Sequence, residues 1–212
     1  MTPTGAPPAR SRRSRLTGRT LAIAIALQLL LPGYAAAAVS FSTAPNAPNL
    51  AAVTLNGQAT TDNATMANWG VTMSGSKTGW NVTVAGDTTA GKSAVFKQYC
   101  PNATCGTDSG PGYITGGFTL AASSLTLNST GASWTGNSGT TPSHLCNSGC
   151  LMDTTTAVKI ASASTSVSLG TWSTTGYSAT SLALSVPTTT RFLSQSGEVY
   201  HLDLVWTLNS GP

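Results

Sequence analysis

Charged side chains are scarce in this chain, where they make up only 8% of 212 residues. Five of the ten basic residues are arginines clustered between residues 10 and 19. Without that cluster, the chain would have five basic and six acidic side chains, and its formal charge would change from +4 to −1. Such a balance leaves no basic surface for phosphate backbones. We therefore expect no nucleic-acid partner.

Long apolar runs are also rare, and the main one, "TLAIAIALQLLLPGY", follows the arginine cluster and precedes small residues at 35–38. This order is typical of a secretory signal peptide with an A-x-A cleavage site. The run is short for a membrane span. We predict a signal peptide over residues 1–38 and a secreted single domain over residues 39–212, with no stable membrane span after cleavage. Ser11-Arg12-Arg13 leaves a twin-arginine signal open as the export route.

The rest of the chain lacks helical periodicity and any βαβ alternation. Alternating polar and apolar residues recur instead between Gly, Asn and Pro, which predicts an all-β fold: an antiparallel β-sandwich, or a barrel, of many short strands. Asn56-Gly57 predicts one hairpin, and residues 67–75 with 79–87 predict a second. Further strands are expected within residues 113–127, 155–163, 166–172, 178–187 and 197–208.

Only four cysteines are present, in two tight pairs: Cys100 with Cys105, and Cys146 with Cys150. An even number of cysteines in an exported chain indicates disulfides, and three connectivities are possible. Pro101 and Gly149 favour two local bridges that hold two loops. A zinc site with four cysteine ligands is the alternative.

Residues for catalysis are few: the chain has two histidines, no G-x-S-x-G nucleophile motif and no cluster of Asp and Glu. His201 and Asp203 could form a base with its orienting carboxylate, but no nucleophile accompanies them. Ser74-x-x-Lys77 and Lys77-Thr-Gly79 resemble penicillin-binding motifs, yet one lysine would have to serve both. We expect no enzyme activity, no cofactor and no catalytic metal.

Two short tryptophan triplets lie in alternating runs, Trp80-Asn81-Val82 and Trp206-Thr207-Leu208. Residues i and i+2 of a strand face the same way, so each tryptophan shares a face with the aliphatic residue of its triplet. In the last strand, a uniformly apolar face is expected at Tyr200, Leu202, Leu204, Trp206 and Leu208. Both tryptophans are therefore candidates for the core as well as for a binding site.

The paired triplets resemble the two signature motifs of the WxL family of Gram-positive bacterial surface proteins. The second triplet matches W-x-L literally, and the first carries Val82 in place of leucine. The resemblance extends over the mature chain. The cysteine-bearing loops suggest a divergent branch.

This resemblance implies a cell-surface protein that binds peptidoglycan or another cell-wall glycan non-covalently, so that the folded domain itself is the anchor without a sortase-type signal. It marks both triplets and Asp203 as ligand-binding candidates. Two arrangements stay open: Asn81, Thr83, Asp203 and Thr207 could contact the ligand from the outer face of a sheet, or the two motif strands could form a groove. The alternative function is a structural or adhesive subunit that pairs its strand edges with other surface proteins.

Overall fold

The computed structural model describes residues 38–211. The predicted signal peptide therefore lies outside the described residues, apart from Ala38, and it stays a prediction. No helix occurs within residues 38–211. The strands are β1 (Ala38–Thr43), β2 (Thr60–Ala64), β3 (Gly70–Ser74), β4 (Trp80–Gly86), β5 (Lys97–Cys100), β6 (Thr104–Cys105), β7 (Asp108–Ser109), β8 (Gly112–Tyr113), β9 (Leu125–Leu127), β10 (Ser133–Thr135), β11 (Ser143–His144), β12 (Cys150–Leu151), β13 (Val158–Ala163), β14 (Gly170–Thr175), β15 (Leu182–Val186), β16 (Val199–His201) and β17 (Leu204–Ser210).

The strands form antiparallel sheets, which confirms the predicted all-β fold. Sheet I has the order β1-β3-β14-β10, sheet II the order β11-β13-β4-β17, and sheet III the order β12-β9-β15-β2. Sheet IV is the three-stranded β16-β5-β8, and β6 pairs with β7 alone. Neighbours in these sheets are mostly distant in sequence, so long-range pairing rather than local hairpins builds the fold.

The core lies between the sheets and follows from strand alternation. In β4 every second residue is buried, beginning with Trp80. Burying alternate apolar side chains removes their surface from water, the main favourable term in folding. Sheets I and II meet where Trp134 of β10 contacts Trp80, with ring centroids 5.5 Å apart. The result is an antiparallel β-sandwich in which one core includes residues from three sheets.

Both predicted hairpins are wrong, although the strands of the second exist. Residues 51–59 contain no strand, and Asn56 Oδ1 instead accepts a hydrogen bond from the Gln58 amide at 3.0 Å. β3 pairs with β1 and β14, whereas β4 pairs with β13 and β17. β3 and β4 both bury apolar faces in one core, so they lie in opposite sheets. Gly75 and Gly79 adopt positive φ values of 76° and 72° where the chain crosses between the sheets.

The cysteines form the two local disulfides, Cys100–Cys105 and Cys146–Cys150, so the connectivity favoured by the sequence is confirmed. Their Cα atoms are 5.7 and 5.1 Å apart. All four cysteines are used, so the zinc alternative is wrong. The first disulfide closes the loop between β5 and β6. No strand was predicted within residues 88–112, but the structure has short strands there.

We predict that Leu127→Ala lowers the free energy of unfolding by about 2–4 kcal/mol, because Leu127 is 1% exposed and its removal leaves a cavity. Leu151 is the matched control: it lies on β12, which pairs with β9, and it is 41% exposed. Leu151→Ala should change stability by less than about 0.5 kcal/mol. Urea unfolding followed by tryptophan fluorescence measures both. Equal losses of stability in the two variants would contradict the assignment of Leu127 to the core and Leu151 to the surface.

Candidate functional site

The two tryptophan triplets lie on neighbouring strands. The sequence had left this arrangement open. β17 pairs with β4 in sheet II, with Leu208 opposite Val82 and Trp206 opposite Val84. Trp80 lies opposite Ser210. The triplets are thus adjacent, displaced along the strands by a few residues.

The first triplet is built into the interior. Trp80 and Val82 are fully buried. Trp80 belongs to an aromatic cluster in which Trp134 also contacts Trp69 edge-on at 5.1 Å and stacks on His144 at 5.0 Å. Burial lowers the pKa of His144, which favours the neutral imidazole in this cluster. Trp80 and Val82 therefore support the sheet and present no surface to a ligand.

The second triplet is only half-buried, because β17 is an edge strand of sheet II. Leu204, Trp206 and Leu208 pack against the core, whereas Val205 and Thr207 are exposed. The predicted alternation is therefore correct within β17. Trp206 is half-buried at the boundary of the core.

The outer face of sheet II carries amides and hydroxyls next to the triplets. Asn209 Nδ2 donates to Asn81 Oδ1 at 3.1 Å, and Asn81 Nδ2 donates to the Gly211 carbonyl at 3.0 Å. Thr207 lies opposite Thr83. This face is polar, as predicted, but the Asn81 amide is already engaged in hydrogen bonds within the protein.

Asp203 lies just before β17, and its carboxylate bonds to residues outside sheet II. The predicted last strand is broken at residues 202–203, between β16 in sheet IV and β17 in sheet II. The Asp203 amide donates to the Ser93 carbonyl at 2.9 Å, and its carbonyl accepts from the Asp87 amide at 2.8 Å. These bonds pair both backbone polar groups of Asp203 where the chain changes sheets.

The Asp203 carboxylate is the centre of a polar cluster. Lys92 Nζ donates to Oδ1 at 3.0 Å, while the Ser93 amide and the Tyr113 hydroxyl donate to Oδ2. His201 Nε2 lies 3.7 Å from Oδ1. Burial by itself would raise the pKa of Asp203, but hydrogen bonds from Tyr113, Lys92 and Ser93 outweigh it and lower the pKa. The hydrogen bond to Asp203 raises the pKa of Lys92, and burial raises the pKa of Tyr113.

Three aromatic rings cover one side of this cluster. Tyr99 lies edge-on to Tyr113, with centroids 5.0 Å apart, and 4.7 Å from the His201 ring. β5, β8 and β16 bring these residues together in sheet IV. Gly86 lets the backbone beside Ser93 approach β4 closely, because a Cβ at residue 86 would collide with the Ala94 backbone. His201 and Asp203 thus lie near each other, as predicted.

A cleft of about 280 Å³ opens between this cluster and the exposed coil that follows β1. The cleft brings two of the predicted site residues, Asp203 and Trp206, together with side chains that the sequence did not mark. Its lining residues are Asn46, Ala47, Asn49, His201, Leu202, Asp203, Leu204 and Trp206. The arrangement offers amides, an imidazole, a carboxylate and an indole ring in one concave surface.

Sequence reasoning missed Asn46 and Asn49, because they lie in a coil without periodicity. The only signal for them was the spacing of two asparagines around Pro48, which resembles many surface loops. It also missed Lys92 and Tyr113, which lie on either side of the loop that the Cys100–Cys105 disulfide closes. Their link to Asp203 depends on tertiary packing.

No group of three or more His, Cys, Asp or Glu that could hold a metal ion occurs within the described residues. No helix in residues 38–211 is long and apolar enough to cross a membrane. No protein-family model, curated protein or solved structure matches this chain.

We predict that Asp203→Asn lowers the free energy of unfolding by about 1–2 kcal/mol at pH 7, because it weakens charge-assisted hydrogen bonds to Lys92, Ser93 and Tyr113. The pKa of Asp203 is lower in the folded protein, so its contribution is present above the ordinary aspartate pKa of about 3.9 and disappears as the pH falls. Urea unfolding at a series of pH values measures the difference from wild type.

The wild-type and Asp203→Asn curves should converge at acid pH. A constant difference across the whole series would contradict the ionised role of Asp203. Tyr113→Phe is a milder control, because it removes one hydrogen bond and leaves the charge in place.

Proposed function

We propose that this chain is a secreted cell-surface protein that binds a cell-wall glycan, such as peptidoglycan, non-covalently. The observation that carries the proposal is the cleft in which Trp206, of the C-terminal triplet, lies beside Asp203, His201 and two asparagines. The resemblance of the triplets to WxL motifs suggests the wall as the source of the ligand.

The chemistry of the cleft suits a sugar ring. A sugar presents C–H groups on its faces and hydroxyls around its edge, so it pairs with an aromatic surface and with several hydrogen-bonding groups. Trp206 supplies the apolar surface, and Asn46 and Asn49 supply exposed amides. A volume of about 280 Å³ is near the lower end of known ligand pockets, which suits a single sugar ring.

The cleft is a better candidate than the outer face of sheet II. The cleft is concave, and concave sites bury more of a small ligand. The Asn81 amide on the outer face already bonds to Asn209 and Gly211, so a ligand would have to replace those bonds. Two disulfides and a surface poor in charge are compatible with export.

We predict that Trp206→Leu weakens binding about tenfold, because leucine keeps the apolar packing but removes the flat ring. The paired change Asn46→Ala and Asn49→Ala should weaken binding further. Calorimetry with N-acetylglucosamine oligomers, and co-sedimentation with isolated Gram-positive peptidoglycan, measure the effect.

The matched control is Asn81→Ala with Thr207→Ala on the outer face of sheet II, and circular dichroism verifies that each variant is folded. Loss of binding in this control alone would move the site from the cleft to the outer face. A wild-type protein that binds neither oligomers nor wall would overturn the proposed function.

A second candidate is a structural or adhesive subunit that pairs its edge strands with other surface proteins. One observation favours it: β17 and β2 each lie at the edge of a sheet, where unpaired backbone groups can receive another strand. This function predicts concentration-dependent assembly in the absence of wall. Sedimentation velocity of the purified domain distinguishes it from monomeric wall binding.

A further inference from the structure

A second and larger cavity, of about 850 Å³, adjoins the cleft. The two share lining residues at Ala47, Asn49 and His201, and at Leu202 and Leu204. A ligand held in the cleft could therefore extend into the cavity without leaving the protein surface. The shared wall is the first reason to consider both spaces as one site.

The cavity is lined mainly by aliphatic side chains. Buried leucines of sheet III form one wall, among them Leu125, Leu182 and Leu184. Leu50 and Val53, from the coil between β1 and β2, form another and are only half-buried. This lining would accept an apolar group and repel water.

The cavity is partly open to the surface, so a ligand can enter it from solvent. A space of 850 Å³ lies within the range of pockets that hold organic ligands.

Apolar groups are also exposed beside the cavity. Phe192, one of its lining residues, is 68% exposed, and Val199 is 42% exposed. Phe118 is 40% exposed and lies under the guanidinium of Arg191, 5.9 Å from the ring centroid. Exposed apolar surface of this kind is typical of a site that receives an apolar ligand.

We propose that the cleft and the cavity together bind a glycolipid, with its sugar in the cleft and its aliphatic chain in the cavity. This proposal rests on the proposed function and specifies its ligand class. Trp206 and the two asparagines contact the sugar. The leucine and valine walls contact the chain.

The test is calorimetry with free N-acetylglucosamine and with its hexyl, octyl and decyl β-glycosides, each below its micelle concentration. Burial of each methylene should tighten binding about fourfold, so affinity should rise steadily along the series. Val53→Trp narrows the cavity and should reduce this rise while leaving the affinity for the free sugar unchanged. Val205→Trp makes the same change on the exposed face of β17 and should have no effect.

The failures of the two proposals are distinguishable. Binding of the free sugar with no dependence on chain length would overturn the glycolipid proposal and leave the glycan-binding function. Octanol binding as tightly as the octyl glycoside, unchanged by Trp206→Leu, would overturn the glycolipid proposal and the sugar cleft together. A rise with chain length that is undiminished in folded Val53→Trp would also overturn it, because the chain would then lie outside the cavity.

Discussion

Burial of tryptophan rings between sheets I and II is the interaction on which the rest of the structure depends. Trp69, Trp80 and Trp172 are at most 1% exposed, and Trp134 joins the first two across the sandwich. Each ring buries a large apolar area, which matters in a chain where charged side chains are only 8% of the residues. Because Trp80 fixes β4 in the middle of sheet II, it also fixes β17 beside it. The cleft forms along that edge.

The two similar triplets take different roles because their strands have different positions in the sheet. β4 has neighbours on both sides, so Trp80 is enclosed by β13, β17 and the opposite sheet. β17 has a neighbour on one side only, and Trp206 is left half-buried. A short motif specifies which face a side chain takes. Its solvent exposure is determined by the place of the strand in the sheet.

Local patterns predicted the strand character and the disulfides well, since both depend on neighbours in sequence. Alternation identified β4 and the inward face of β17, and cysteine spacing identified the bridges. The hairpins failed because alternation cannot tell whether two successive strands pair side by side or face each other across a core. The cleft could not be predicted either: Asn46 and Asn49 come from a coil, and Asp203 is oriented by Lys92 and Tyr113 from a distant region.

The break at residues 202–203 connects the fold to the candidate site. A continuous strand would have kept Tyr200 and Trp206 in one sheet. The Asp203 amide donates to the Ser93 carbonyl and the Asp203 carbonyl accepts from the Asp87 amide, which offsets the loss of strand pairing at the break. The carboxylate of Asp203 then binds Lys92 and Tyr113. The chain consequently passes from sheet IV to sheet II, and Leu202 and Leu204 beside the break line both the cleft and the cavity. A polar and an apolar space thus meet where one strand changes sheets, which is the geometry that an amphipathic ligand requires.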